Sequence, residues 1–195
     1  MNKRIPFFCI LFFVIVLSEY LTAQVSAACG AAVQETSVDT PKVAGDQERF
    51  FQLGNVYIGT QPDEDELKWF AENGVRLVVN VRTDSEVEEH TKEEYDETGL
   101  SGELGMNYVH LPLGGKAGYS PEDVDTLAKY ISGNDAKTLV HCLAGVRASY
   151  LYVAYLILYK DVPIDDAVDI GKKMKMRIPF EDMLNFPVTR SRKAE

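Results

Sequence analysis

Residues Val75 to Val81 read VRLVVNV, an almost unbroken run of β-branched apolar side chains. A strand that is apolar at consecutive positions has no face to give to water. It belongs inside a sheet covered by helices on both sides, the usual setting of parallel strands. The residues before it support that reading. Leu67, Phe70 and Ala71 recur at intervals of three and four between Glu64 and Asn73, the spacing of one helix face, and Gly74 stands where a helix commonly ends.

The alternation continues along the chain. Asn55 to Gly59 predicts a short strand, Asn107 to Leu113 (NYVHLPL) another, and Lys137 to Val140 a third. Ser120-Pro121-Glu122-Asp123 predicts a helix start, with a capping hydroxyl, a first-turn proline and acids at the positive dipole end, and that helix reaches about Ser132. Ala148 to Lys160 and Ile164 to Lys175 predict two more helices. The expected fold is a single α/β domain with a mainly parallel central sheet flanked by helices. Ligands of such sheets bind beyond the carboxyl ends of the strands.

The termini carry other information. Met1-Asn2-Lys3-Arg4 is basic, Ile5 to Leu17 is uncharged and mostly apolar, and small residues follow up to Ala28. This pattern predicts a signal peptide over 1–28 and an exported protein, periplasmic or secreted. The apolar run is short for a membrane span. An uncleaved anchor, or a lipid on Cys29, would be the only link to a membrane. Residues 29–47 read as a flexible tether and 48–195 as the folded domain. Loss of Lys3, Arg4 and Glu19 with the leader would move the net charge from −10 to −11. Such an acidic chain is repelled by nucleic acid. Of its three cysteines, Cys9 would leave, Cys29 would sit at the new terminus, and Cys142 remains inside.

Cys142 lies in the stretch that carries chemistry, Leu139-Val140-His141-Cys142-Leu143-Ala144-Gly145-Val146-Arg147-Ala148-Ser149. A strand ends at a cysteine, a loop with glycine follows, and an arginine stands at the start of a helix. Backbone N–H groups of Leu143 to Ala148 would converge with the free N–H groups of the helix to form an anion cradle. Arg147 adds a planar fork suited to phosphate oxygens. The same field favours the thiolate of Cys142, which makes it a nucleophile.

His141-Cys142-x-Ala144-Gly145 followed by arginine resembles the signature of the cysteine-dependent tyrosine and dual-specificity phosphatases. More narrowly, Val56-Tyr57-Ile58-Gly59-Thr60-Gln61-Pro62, Gly74-Val75 leading into Val79-Asn80-Val81-Arg82, and Tyr108-Val109-His110-Leu111-Pro112 resemble the bacterial beta-lactamase hydrolase-like phosphatase-domain family over roughly residues 53–160. The resemblance implies a phosphatase-like fold and hydrolysis of a phosphorylated small molecule or protein through a phosphocysteine, with no cofactor and no metal. It implies Cys142 as nucleophile, Leu143 to Ala148 as the phosphate loop, Arg147 as its clamp, His141 as support of loop and thiolate, and Ser149 as a hydroxyl assisting thiolate release.

Two departures keep alternatives open. Four residues separate Cys142 from Arg147, where common tyrosine phosphatases have five. Four is also the spacing of rhodanese-type sulfurtransferases, so sulfur or persulfide transfer through Cys142 competes. The loop Leu113 to Tyr119 contains no carboxylate to protonate a leaving group. Asp123 and Asp84 are the nearest candidates, and if neither serves, a non-catalytic oxyanion-binding module is the third reading. Arg82 would contact substrate or pair with Asp84. The acidic stretch Glu86 to Glu103 and His90 within it read as solvated. His110 reads as a core or rim histidine, and Tyr152, Tyr155 and Tyr159 as packing.

Overall fold

The structure is a computed structural model that describes residues 38–39, 49–114, 119–132 and 135–177. The expected leader, Cys29, most of the tether, the loop 115–118 and the tail beyond 177 lie outside the described residues. Strand β1 (Phe50–Leu53) turns into β2 (Val56–Gly59), followed by helix α1 (Glu64–Glu72) and β3 (Val75–Asn80). Two short helices, α2 (Asp84–Glu93) and α3 (Glu97–Glu103), lead to β4 (Asn107–His110). Then come α4 (Pro121–Ile131), β5 (Lys137–His141), α5 (Val146–Tyr159) and α6 (Ile164–Lys173).

The sheet has the order β1-β2-β5-β3-β4. Strands β2, β5, β3 and β4 run parallel, and β1 alone is antiparallel, against β2. The expected α/β fold is therefore present, with β5, the strand that leads into Cys142, at its centre. The period-two alternation of side chains then explains the continuous apolar run. Val78 and Leu139 point to one side, into a cluster with Leu67, Phe70 and Tyr57. Val79 and Val140 point to the other, into the core built by α4 and α5. Leu139 and Val140, on opposite faces of β5, are fully buried, so truncating either to alanine would cost about 2–4 kcal/mol.

Helix α5 is buried at every position from Ala148 to Ile157, which is why its sequence carries no polar stripe. The helix starts are written in the sequence: Asp63 with Glu66, Thr83 with Glu86, and Ser120 with Asp123 each form a reciprocal capping box. Gly74 takes φ +89°, the left-handed conformation that lets the chain leave α1 and enter β3.

Strand β1 was not expected. Its sequence, FFQL, lacks alternation, and it is placed by the hairpin through Gly54 and Asn55. The Phe50 ring fills the space beside Gly59, where a Cβ would come within 2.1 Å of it. The acidic stretch keeps most of its acids in water, with Glu88, Glu89, Glu93, Glu94, Asp96 and Glu103 exposed, but Glu97 and His90 depart from their expected solvated state. The stretch forms α2 and α3, with Glu97 3% exposed and His90 6% exposed.

Candidate active site

Strand β5 ends at His141, and Cys142 follows as a free, buried thiol. Its backbone N–H donates to Gly59 O at 3.3 Å, and Gln61 N–H donates to Leu143 O at 3.3 Å. Thr60 and Ala144 form a further antiparallel bridge. The expected phosphate loop is thus braced along one side by residues 59–61, an extension of β2. Leu143 and Ala144 are exposed, Val146 is half-buried and Ala148 is buried in the first turn of α5.

Gly145 is the N-cap of α5 and has φ +80°. Its left-handed backbone turns the loop into the helix, and a Cβ there would lie 3.3 Å from the carbonyl carbon of Gly59. No side chain caps α5. Its first amide groups keep their bonding capacity for whatever anion sits in the loop.

Arg147 joins three segments. Its Nη1 and Nη2 donate to Glu86 Oε2 and Oε1, each at 2.7 Å, and Nη1 also donates to Leu113 O at 2.9 Å. Glu86 accepts further bonds from the Thr83 backbone N–H and hydroxyl. The Arg147 guanidinium foremost, with the Thr83 contacts, holds the Glu86 carboxyl down at about 2, while partial burial opposes this. The same pair raises Arg147 further. Gly114 is needed beside it, since a Cβ there would approach Thr83 Cγ2 to 2.5 Å.

Behind the thiol, His141 is fully buried. Its Nε2 lies 3.0 Å from Glu97 Oε1, close enough for an ion pair but without the alignment of a hydrogen bond. Glu97 Oε2 accepts from Asn80 Nδ2 at 2.9 Å. Burial pushes the Glu97 carboxyl up, but His141, Gln61 and Asn80 outweigh it and hold it below the usual carboxylate range. Tyr119, at the end of the loop after β4, is buried with its hydroxyl unpartnered among the described residues. Burial first, and the charge of Cys142 second, raise its phenol, so it stays protonated.

The other expected residues are placed differently. Ser149 directs its hydroxyl at Gly145 O (2.8 Å) and Met174 O (2.6 Å), tying the first turn of α5 to the end of α6, and no hydrogen bond joins it to Cys142. Asp123 accepts from Ser120 N–H at 2.8 Å as part of the α4 cap. The Asp84 side chain is 81% exposed and lies 3.6 Å from His110 Nδ1, not against Arg82. His110 Nε2 contacts Arg82 O at 2.8 Å, a rim position. Among the described residues, no cluster of three His, Cys, Asp or Glu side chains is arranged to hold a metal ion.

Glu86, Glu97 and Tyr119 escaped the sequence reading. Thr83-Asp84-Ser85-Glu86 lies just beyond β3, so its capping box could have flagged Glu86 as an acid at the carboxyl edge of the sheet.

The fold is that of the dual-specificity and tyrosine phosphatases. A family model described as DSP-PTPase phosphatase fused to NAD+ kinase matches residues 31–183, and the chain belongs to that family. Among curated proteins, human dual specificity protein phosphatase 9 is 30% identical over 129 residues, covering 65% of this chain and 31% of that protein. The Xylella fastidiosa beta-lactamase hydrolase-like protein is 28% identical, covering 58% and 26%. The chain therefore spans a third or less of these curated relatives. Among solved structures, a Shewanella putrefaciens CN-32 phosphatase (DUF442) is 26% identical with TM-score 0.51, covering 63% of this chain and 73% of that one. Tk-PTP in its active form, at 21% identity and TM-score 0.55, covers 67% and 87% and shares the fold.

Proposed function

We propose that this domain hydrolyses phosphate monoesters through Cys142. The thiolate sulfur attacks phosphorus, the bond to the ester oxygen breaks, and that oxygen departs with the bonding electrons and takes its proton from water. Water then attacks the phosphocysteine and releases phosphate with the thiolate restored. The loop amides of Leu143 to Ala148 and the start of α5 hold the phosphoryl oxygens, and Arg147 fixes the loop and offers its remaining N–H groups. The observation that carries this reading is the cradle itself: a thiol at the end of the central strand, a left-handed Gly145, an uncapped helix start, and an arginine locked at its first turn.

Asp123 is bound in a helix cap and Asp84 is exposed, so the reading favours aryl phosphates, whose leaving oxygens need little protonation. The basic start and apolar run at the N-terminus support an exported protein meeting phosphorylated small molecules or proteins outside the cytoplasm.

The test is hydrolysis of p-nitrophenyl phosphate by the full chain and by Cys142→Ser. Turnover abolished by the substitution is expected, and equal rates would overturn the mechanism. Thiocyanate formation from thiosulfate and cyanide, with a gain of one sulfur on Cys142, would instead establish sulfur transfer. Phosphate binding without turnover would leave an oxyanion-binding module.

A further inference from the structure

Beside the phosphate loop lies a cleft of about 400 Å³, lined in part by Leu143, Gln61, Arg82 and His90. Gln61 links the two sites: its backbone N–H donates to Leu143 O, and its Oε1 accepts from Arg82 Nη1 at 2.8 Å. Arg82 and His90 are each only 6% exposed. Both keep a buried nitrogen, Arg82 Nε and His90 Nε2, with no hydrogen-bond partner among the described residues. Among the described residues, a neutral amide is the one side-chain acceptor of the Arg82 guanidinium.

A buried guanidinium without a carboxylate is costly to the fold, and buried donors left unpaired add to the cost. Such groups persist where a ligand completes them. An unpartnered guanidinium N–H and an imidazole nitrogen able to donate, whose ring partner Nδ1 lies 3.7 Å from Glu94 Oε1, suit an oxygen-rich, negatively charged group. The rim limits its size and charge, because Asp63, Glu89, Glu93 and Glu94 also line the cleft. A polyanion would be repelled there, whereas a single compact oxyanion can reach Arg82.

We propose that this cleft is a second oxyanion subsite, in which Arg82 and His90 select phosphate monoesters carrying one further anionic oxygen group. The proposal rests on the reading of Cys142 as the group that attacks phosphorus, and it narrows the substrate class for that reaction.

The test uses the full chain with Cys142→Ser and three non-hydrolysable ligands in titration calorimetry: phenylphosphonate, its 3-carboxy derivative and its 3-phosphono derivative. One added anion should tighten binding about tenfold, the scale of a buried charge-assisted contact. The derivative that tightens tells carboxylate from phosphate. Adding Arg82→Met should reduce the gain to about twofold or less, and His90→Phe should reduce it in part. Arg82→Lys, which keeps the charge and loses the fork, should retain some of it. Melting curves of each variant check that it is folded.

Equal binding of all three ligands, in a protein that turns over p-nitrophenyl phosphate, would overturn the subsite alone. A gain that survives both Arg82→Met and His90→Phe would overturn it as well. Binding of none of the ligands, together with no turnover, would overturn both the subsite and the reading it rests on.

Discussion

Glu86 holds Arg147 through two parallel bonds of 2.7 Å, so the fold itself locks the arginine that follows Cys142. The lock joins the first turn of α2 to the first turn of α5. Its charge state sets a pH window. The folded value of Glu86, about 2, lies below its ordinary 4.5. Its contribution is therefore complete above pH 4.5 and is lost as the pH falls toward 2. After discounting for solvent screening of this partly exposed pair, about 1–2 kcal/mol is at stake. Urea unfolding between pH 2 and 6 should show this loss in the native protein and a much flatter profile in Glu86→Gln. Parallel profiles would show that the pair contributes nothing.

The buried acid behind the thiol should behave more severely. Glu97→Ala leaves His141 and Asn80 Nδ2 facing a void and should cost about 3–5 kcal/mol. Glu97→Gln keeps the volume and the acceptor for Asn80, so about half that loss is expected. Denaturant midpoints compare the two, and equal losses would assign the effect to packing alone.

Gly145→Ala forces a Cβ into the left-handed region at φ +80° and against Gly59. A cost of about 1–2 kcal/mol follows from the conformation alone. Because the strain falls inside the phosphate loop, p-nitrophenyl phosphate turnover should fall by more than thermal stability suggests, at least about tenfold. A variant with a lowered melting temperature and native kcat/KM would separate this glycine from the chemistry.

Tyr119→Phe should act in the opposite direction on stability. The hydroxyl is buried without a partner among the described residues, so removing it relieves a desolvation penalty of about 1 kcal/mol. A rise of about 2–4 °C in Tm is the expected calorimetric result. A fall would mean that the hydroxyl is bonded in solution.

Leaving-group dependence tests the missing acid. The native protein should prefer p-nitrophenyl phosphate to an alkyl phosphate by about a hundredfold or more in kcat/KM, the scale of absent general acid catalysis. Asp123→Asn and Asp84→Asn should leave that ratio in place. A collapse of aryl activity at alkaline pH that disappears in either variant would identify that aspartate as the proton donor.

Much of the fold was legible because burial is periodic. VRLVVNV reads as an interior strand, and the cap at Ser120 announced its helix, while the caps at Asp63 and Thr83 were equally present but went unread. Strand β1 was not legible, since FFQL carries no alternation and its partner is fixed by a turn. The phosphate loop was readable because its residues are contiguous. Glu86, Glu97 and His90 were not, because a buried acid or histidine looks like its solvated neighbours in a stretch rich in charge. What distinguishes them is a partner far along the chain: Arg147 for Glu86 and His141 for Glu97.

The strand order has a consequence for the growing chain. Strand β5 pairs with both β2 and β3, which do not pair with each other. Until residues 137–141 have been made, the earlier strands form only two separate pairs, β1 with β2 and β3 with β4. Pairs of that size are marginal alone in water. During synthesis the sheet must therefore wait for the strand that delivers Cys142. The event that closes the core also sets the thiol in place, so a chain released before that strand would lack a closed sheet as well as Cys142.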